Sequence, residues 1–90
     1  MEFQTETGRI WLADARGAVI AEVLFPDAGD GVVELTRTFV DDSLRGQGVA
    51  GKLMEAFAAE MRRQGKRAKL TCPYAVGWFE THDGYGNILV

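Results

Sequence analysis

In the N-terminal half, apolar residues come in short runs, Ile10 to Ala13, Ala18 to Phe25 and Val32 to Val40, rich in β-branched and aromatic side chains. The intervals between them carry turn-forming residues, Ala15-Arg16-Gly17 and Asp27-Ala28-Gly29-Asp30-Gly31, and suit hairpins better than helical crossovers. This half predicts an antiparallel β-meander. After Gly48 the period changes: Ala50, Leu53, Met54, Phe57, Ala58 and Met61 recur at the spacing that gathers apolar groups on one helix face, and Gly65 supplies a stop. Ala68 to Thr71 predicts a short strand. Ala75 to Thr81 predicts a short second helix, its entry marked by Pro73, which disfavours helical geometry at Cys72.

The resulting order, β-β-β-α-β-α, is an α/β (α+β) fold: a meander followed by a β-α-β unit, with the strands around the long helix expected to run parallel. No internal repeat or long linker interrupts it. At 90 residues the chain has the material for one core, so residues 1–90 are expected to form a single domain.

Charge narrows the partners. A formal net charge of -3 gives no general attraction to nucleic acid or to anionic membrane, which need clustered Lys and Arg. No apolar run approaches the ~20 residues needed to span a bilayer. The single cysteine, Cys72, has no internal disulfide partner, and Met1-Glu2-Phe3-Gln4-Thr5-Glu6 lacks the basic-then-apolar pattern of a signal peptide, so a reducing cytoplasm is expected. One His and one Cys are too few for a zinc site without carboxylates at ligand spacing, and no metal is expected.

The chemistry concentrates in Arg45-Gly46-Gln47-Gly48-Val49-Ala50-Gly51, between a predicted strand and a predicted helix. Glycines there let backbone N–H groups and the positive helix end face an anion, with phosphate or pyrophosphate the natural guest. An ordinary glycine-rich turn that binds nothing is the plain alternative. The stretch fits three templates. As a nucleotide phosphate loop, G-x-x-x-x-G-K, it has Leu53 where Ser or Thr should hold magnesium. As a dinucleotide fingerprint, G-x-G-x-x-G, it has Leu70, Thr71 and Cys72 where an acidic residue should meet the ribose. As an acyl-CoA loop, Q/R-x-x-G-x-G/A, it is matched by Arg45, Gly48 and Ala50 in the expected strand-loop-helix setting.

On those residues the stretch from Asp41 to Leu53 resembles motif A of the GCN5-related N-acetyltransferases. A second block, Cys72-Pro73-Tyr74-Ala75 followed by Phe79, His82 and Tyr85, resembles the small YjdJ-type branch of that family. Arg37, Val76 and Asp83-Gly84 depart from the branch pattern, and all three departures bear on the acceptor side. The resemblance implies an acetyl-CoA-dependent transfer of an acetyl group to a primary amine, of a peptide, a protein or a small molecule. It implies that backbone amides of Gln47 to Gly51 hold the pyrophosphate, with Arg45 adding a charge-assisted contact, and that the strand edge at Phe39 and Val40 pairs with the pantetheine arm. It places Cys72 near the thioester, as nucleophile or pocket wall, and puts His82 and Tyr85 beside the thiol that leaves, as proton carriers. Glu34 and Glu22, on predicted strands, are left without a role. Trp78 and Phe79, adjacent on a helix, point to different sides, so at least one belongs to the core. The alternatives are a non-catalytic module that binds CoA or acyl-CoA, which keeps the same loop, and a protein-interaction module with no affinity for CoA.

Overall fold

The computed structural model describes residues 2–90. Strands β1 (Gln4–Glu6), β2 (Arg9–Ala13), β3 (Val19–Leu24), β4 (Asp27–Gly29), β5 (Val32–Leu35) and β6 (Arg37–Val40) lead through a 3-10 turn at Asp42–Leu44 into helix α1 (Val49–Gln64). Strand β7 (Arg67–Leu70), helix α2 (Pro73–Glu80) and a 3-10 turn at Gly86–Ile88 complete the chain. The meander is antiparallel in the order β1-β2-β3-β6, and β7 pairs with β5 in parallel, so α1 is the crossover that the sequence predicts.

Three features depart from the sequence expectation. Gln4–Glu6 forms an edge strand although all three residues are exposed; register with Arg9 to Trp11 holds it, not burial. The segment Asp27 to Gly31, expected to be all turn, holds the short β4, and the reversal is confined to Asp30 and Gly31 at φ 58° and 74°. Most consequentially, the single expected strand Val32 to Val40 breaks at Thr36: β5 pairs with β4 and β7, and β6 pairs with β3.

That break is a β-bulge. Arg37 stands opposite Leu24 in the register, and Thr36 N–H also donates to Leu24 O at 3.0 Å, so two residues face one. Before the bulge Val33 and Leu35 are the buried positions. After it, Thr38 and Val40 lie opposite the buried Val23 and Ala21 and share their inward face. The alternation skips one residue, and Arg37 and Phe39 turn outward, where the guanidinium sits 5.5 Å from the Phe39 ring.

The core lies between this inner face and α1. Leu53, Met54, Phe57 and Met61 are fully buried, and Phe57 meets Phe25 edge to face with ring centroids 5.0 Å apart. The helix stops where the sequence places its stop. Gly65 sits at φ 66°, its N–H donates to Arg62 O at 3.3 Å, and Lys66 N–H reaches back to Met61 O at 3.0 Å. A Cβ at Gly65 would touch nothing within 4 Å, so Gly65→Ala is penalised only by the left-handed backbone. Its expected cost is about 1 kcal/mol, read as a melting temperature lower by roughly 4–8 °C.

Candidate functional site

The loop before α1 is built by two left-handed glycines. The side chain and the backbone N–H of Ser43 both donate to the Asp41 carboxyl, the N–H at 3.0 Å, and these bonds hold that carboxyl below the usual range and start the 3-10 turn. Arg45 pairs with Asp42 at 2.9 Å with both side chains largely in water. Gly46 at φ 81° and Gly48 at φ 69° then turn the chain into the helix. Gly48 is the N-cap and brings no capping side chain, and no acidic residue occupies the first turn. The first helical N–H to find an acceptor is that of Lys52, bonded to Gly48 O at 3.2 Å. The amides of Gly48, Val49, Ala50 and Gly51 precede it at the positive end of the helix. Gln47 differs from the sequence expectation: its N–H is spent on Leu44 O at 3.2 Å. Gly51 also differs, because it lies within α1 rather than in the loop, and its missing side chain admits the indole of Trp78, whose Nε1 would stand 3.3 Å from a Cβ there.

A fork opens beside this loop. Thr71 N–H and Cys72 N–H both donate to Leu35 O at 3.1 Å, the last bonds tying the β7 segment to β5. Beyond them β6 continues against β3 while the other chain turns into α2, so the second edge of β6, carrying Phe39 and Val40, has no strand partner among the described residues. Cys72 caps α2 at the crotch of the fork, 6% exposed, with its thiol 3.5 Å from Thr38 Oγ1. Burial pushes that thiol up, but the backbone N–H groups of Ala75 and Tyr74 and the bonds to Thr38 outweigh it and hold it below its ordinary value. On the opposite face of the sheet, Thr71 Oγ1 donates to Glu34 Oε2 at 2.8 Å, placing one carboxylate next to the fork.

His82 and Tyr85 belong to a separate cluster. The His82 ring stacks on Trp78 at 3.8 Å, and its Nδ1 donates to Trp78 O at 2.7 Å, since a carbonyl only accepts. Tyr85 packs edge to face on Phe79 at 5.4 Å, with the Arg62 guanidinium 5.1 Å over its ring. α2 separates this cluster from Cys72 by about 10 Å of helix rise. The structure brings Cys72 to Thr38, and His82 and Tyr85 to Trp78; it does not join the two groups. Thr38 and the Glu34–Thr71 pair are the site residues that sequence patterning missed. The one sign of Thr38 in the sequence is Arg37, a charged residue at the position that strict alternation from Leu35 would turn inward.

A concavity of about 520 Å³ lies elsewhere, on the far edge of β7 against Val76, Phe79, Leu89 and Val90. It is lined by apolar side chains with Lys69 and Glu80 and offers no thiol or hydroxyl, whereas the fork holds the Cys72 thiol beside the unpaired edge of β6. No helix of the described residues is long and apolar enough to cross a membrane.

The same architecture occurs in known proteins. A GCN5-like candidate N-acetyltransferase from Staphylococcus aureus superposes with a TM-score of 0.81 at 24% identity, over 99% of this chain and 87% of that one. A candidate acetyltransferase from Agrobacterium tumefaciens matches at TM-score 0.65 and 26% identity, over 87% of this chain and 56% of that one. Tetrahymena GCN5 matches at TM-score 0.65 and 19% identity, over 80% of this chain and 47% of that one. The chain thus spans only about half the length of the last two. No curated protein matches the sequence. Residues 9–88 match the family described as GCN5-related N-acetyl-transferase, and the chain belongs to that family.

Proposed function

We propose that the protein transfers an acetyl group from acetyl-CoA to a primary amine, of a peptide, a protein or a small molecule. The observation that carries this reading is the fork: uncapped helix amides, an unpaired strand edge and a thiol with a lowered pKa converge on one opening. Family membership supports it. The second sequence block, from Cys72 to Tyr85, supports placement in the small YjdJ-type branch. A lone buried thiol suits a reducing compartment such as the cytoplasm.

In this reading the amides of Gly48, Val49, Ala50 and Gly51 hold the pyrophosphate, with Gly46 giving the turn its shape and Arg45 at the rim as a mobile counter-charge. Gln47 contributes by closing the turn onto Leu44, not by offering its own N–H. The pantetheine amides pair with the β6 edge at Phe39 and Val40, as an added strand would. Cys72, as thiolate, attacks the thioester carbonyl. The carbon–sulfur bond to CoA breaks, and the CoA thiolate leaves and takes a proton from water. The amine then attacks the acetyl-cysteine, its proton passes to a base, and the Cys72 thiolate is restored. Glu34, held by Thr71 on the opposite face, is a carboxylate that can receive that proton through a bridging water. His82 and Tyr85, in the Trp78 cluster, then serve the acceptor side or the packing of α2.

Calorimetric titration with acetyl-CoA, CoA, ATP and NAD tests the central claim. Selective binding of acetyl-CoA and CoA is expected; a folded sample that binds neither sinks it. Tight binding without acetyl transfer to any amine in a broad panel would instead favour a non-catalytic acyl-CoA module.

A further inference from the structure

The bulge at Thr36 and Arg37 has an effect at the sulfur. Strict alternation from the buried Leu35 would turn Arg37 and Phe39 inward and leave Thr38 outside. The extra residue reverses this, and Thr38 enters the inner face opposite Val23, where its hydroxyl is the only side-chain hydrogen-bond partner of Cys72 among the described residues. A threonine on an apolar inner face is costly unless its hydroxyl is used, and here its use is the thiol.

We infer that Thr38 is a positioning residue for Cys72: turned inward by the bulge, its hydroxyl anchors the sulfur in the fork and donates a hydrogen bond to it once the proton has left. The catalytic meaning of this rests on the proposed function, in which Cys72 carries the acetyl group. The neighbouring elements supply no charge for the same task. On β6 and β5, Arg37 and Glu34 lie on the opposite face of the sheet. On α2 the nearest titratable group is Tyr74, a phenol that burial pushes above its usual value. The α1 residues in the same core cluster, including Val49, Leu53 and Met54, are uncharged. What remains is Thr38 on one side of the sulfur and the first backbone amides of α2 on the other.

The test is the pH dependence of Cys72 alkylation by iodoacetamide, followed by mass spectrometry on the intact chain, whose only cysteine it is. Thr38→Val keeps the shape and removes the hydroxyl. It is expected to slow alkylation about tenfold at neutral pH and to move the midpoint upward, as loss of one hydrogen bond to a charged group implies. Thr38→Ser is expected to restore both, and Thr38→Ala replaces Thr38→Val as the hydroxyl-free variant if the latter fails to fold. A hydroxyl-free variant that follows the wild-type curve, or a serine variant that behaves like valine, overturns the inference. Alkylation requires no acetyl transfer, so a wild-type protein without transferase activity would end the proposed function and still leave these curves to decide the role of Thr38.

Discussion

Gly48→Glu is expected to weaken acetyl-CoA binding about a hundredfold or more, roughly 2.7 kcal/mol, while the protein still folds. The argument begins with the backbone. Gly48 sits at φ 69° as the N-cap of α1, with nothing within 4 Å of the place its Cβ would take, so a side chain is strained but not blocked. The left-handed conformation costs about 1–2 kcal/mol for a residue with a Cβ. A carboxylate at the positive end of the helix offsets part of that. The same carboxylate reaches the amides of Val49 to Gly51 and occupies the donors that a pyrophosphate needs, besides repelling it. Gly48→Ala carries the strain without the charge and separates the two effects: a loss of only several-fold is expected in the same calorimetric titration. If the glutamate variant binds as the wild type does, the phosphate cradle is not at this helix end. If alanine and glutamate lose affinity equally, loop shape rather than the free amides holds the ligand.

Much of this arrangement was legible in the sequence because it follows from local chemistry. The helix reads from Leu53, Met54, Phe57 and Met61 on one face and from Gly65 at its end, and the structure stops at that glycine in the left-handed conformation. The loop reads from Gly46 and Gly48, where positive φ is required. The parallel β5–β7 pair follows from a strand, a helix and a strand in succession. What escaped depends on registers that pattern alone does not set. A bulge is one extra residue, and within Val32-Val33-Glu34-Leu35-Thr36-Arg37-Thr38-Phe39-Val40 the apolar alternation tolerates either phase after Thr36. Choosing the phase requires β3, whose Leu24 takes both Thr36 and Arg37 as partners. The inward position of Thr38, the opening of the β6 edge and the break in a strand expected to be continuous all follow from that one long-range pairing. The Gln47 and Gly51 differences have a similar origin. A motif marks which residues form a loop, but which N–H is consumed by a turn and which glycine merely admits Trp78 emerges only in three dimensions.

Cys72→Ala is expected to lower turnover by about a thousandfold, as removal of a covalent nucleophile does, with acetyl-CoA affinity changed little. The residue keeps 6% of its surface, enough to meet a thioester entering the fork, and its thiol is held below the ordinary range despite burial. The sign of the pH dependence follows. Thiolate accumulates as pH rises, so the wild-type rate should climb with pH and level off above the lowered thiol pKa, earlier than an unperturbed cysteine would. The alanine variant should lack that limb. Wild type incubated with acetyl-CoA and no amine should gain one acetyl mass on Cys72, and an added amine should discharge it. Unchanged turnover in Cys72→Ala would remove the covalent route and leave direct attack of the amine on the thioester. In that event Glu34 becomes the group that takes the proton of the amine, and Glu34→Gln should show the large loss while Cys72 serves as a wall of the thioester pocket. Glu34 and Cys72 lie on opposite sides of the sheet, Glu34 beside Thr71 and Cys72 beside the inward Thr38. The pair of variants therefore also identifies the side from which the acceptor arrives: loss in both fits an amine that passes through the fork between them, loss in Glu34→Gln alone fits direct transfer from the outer face.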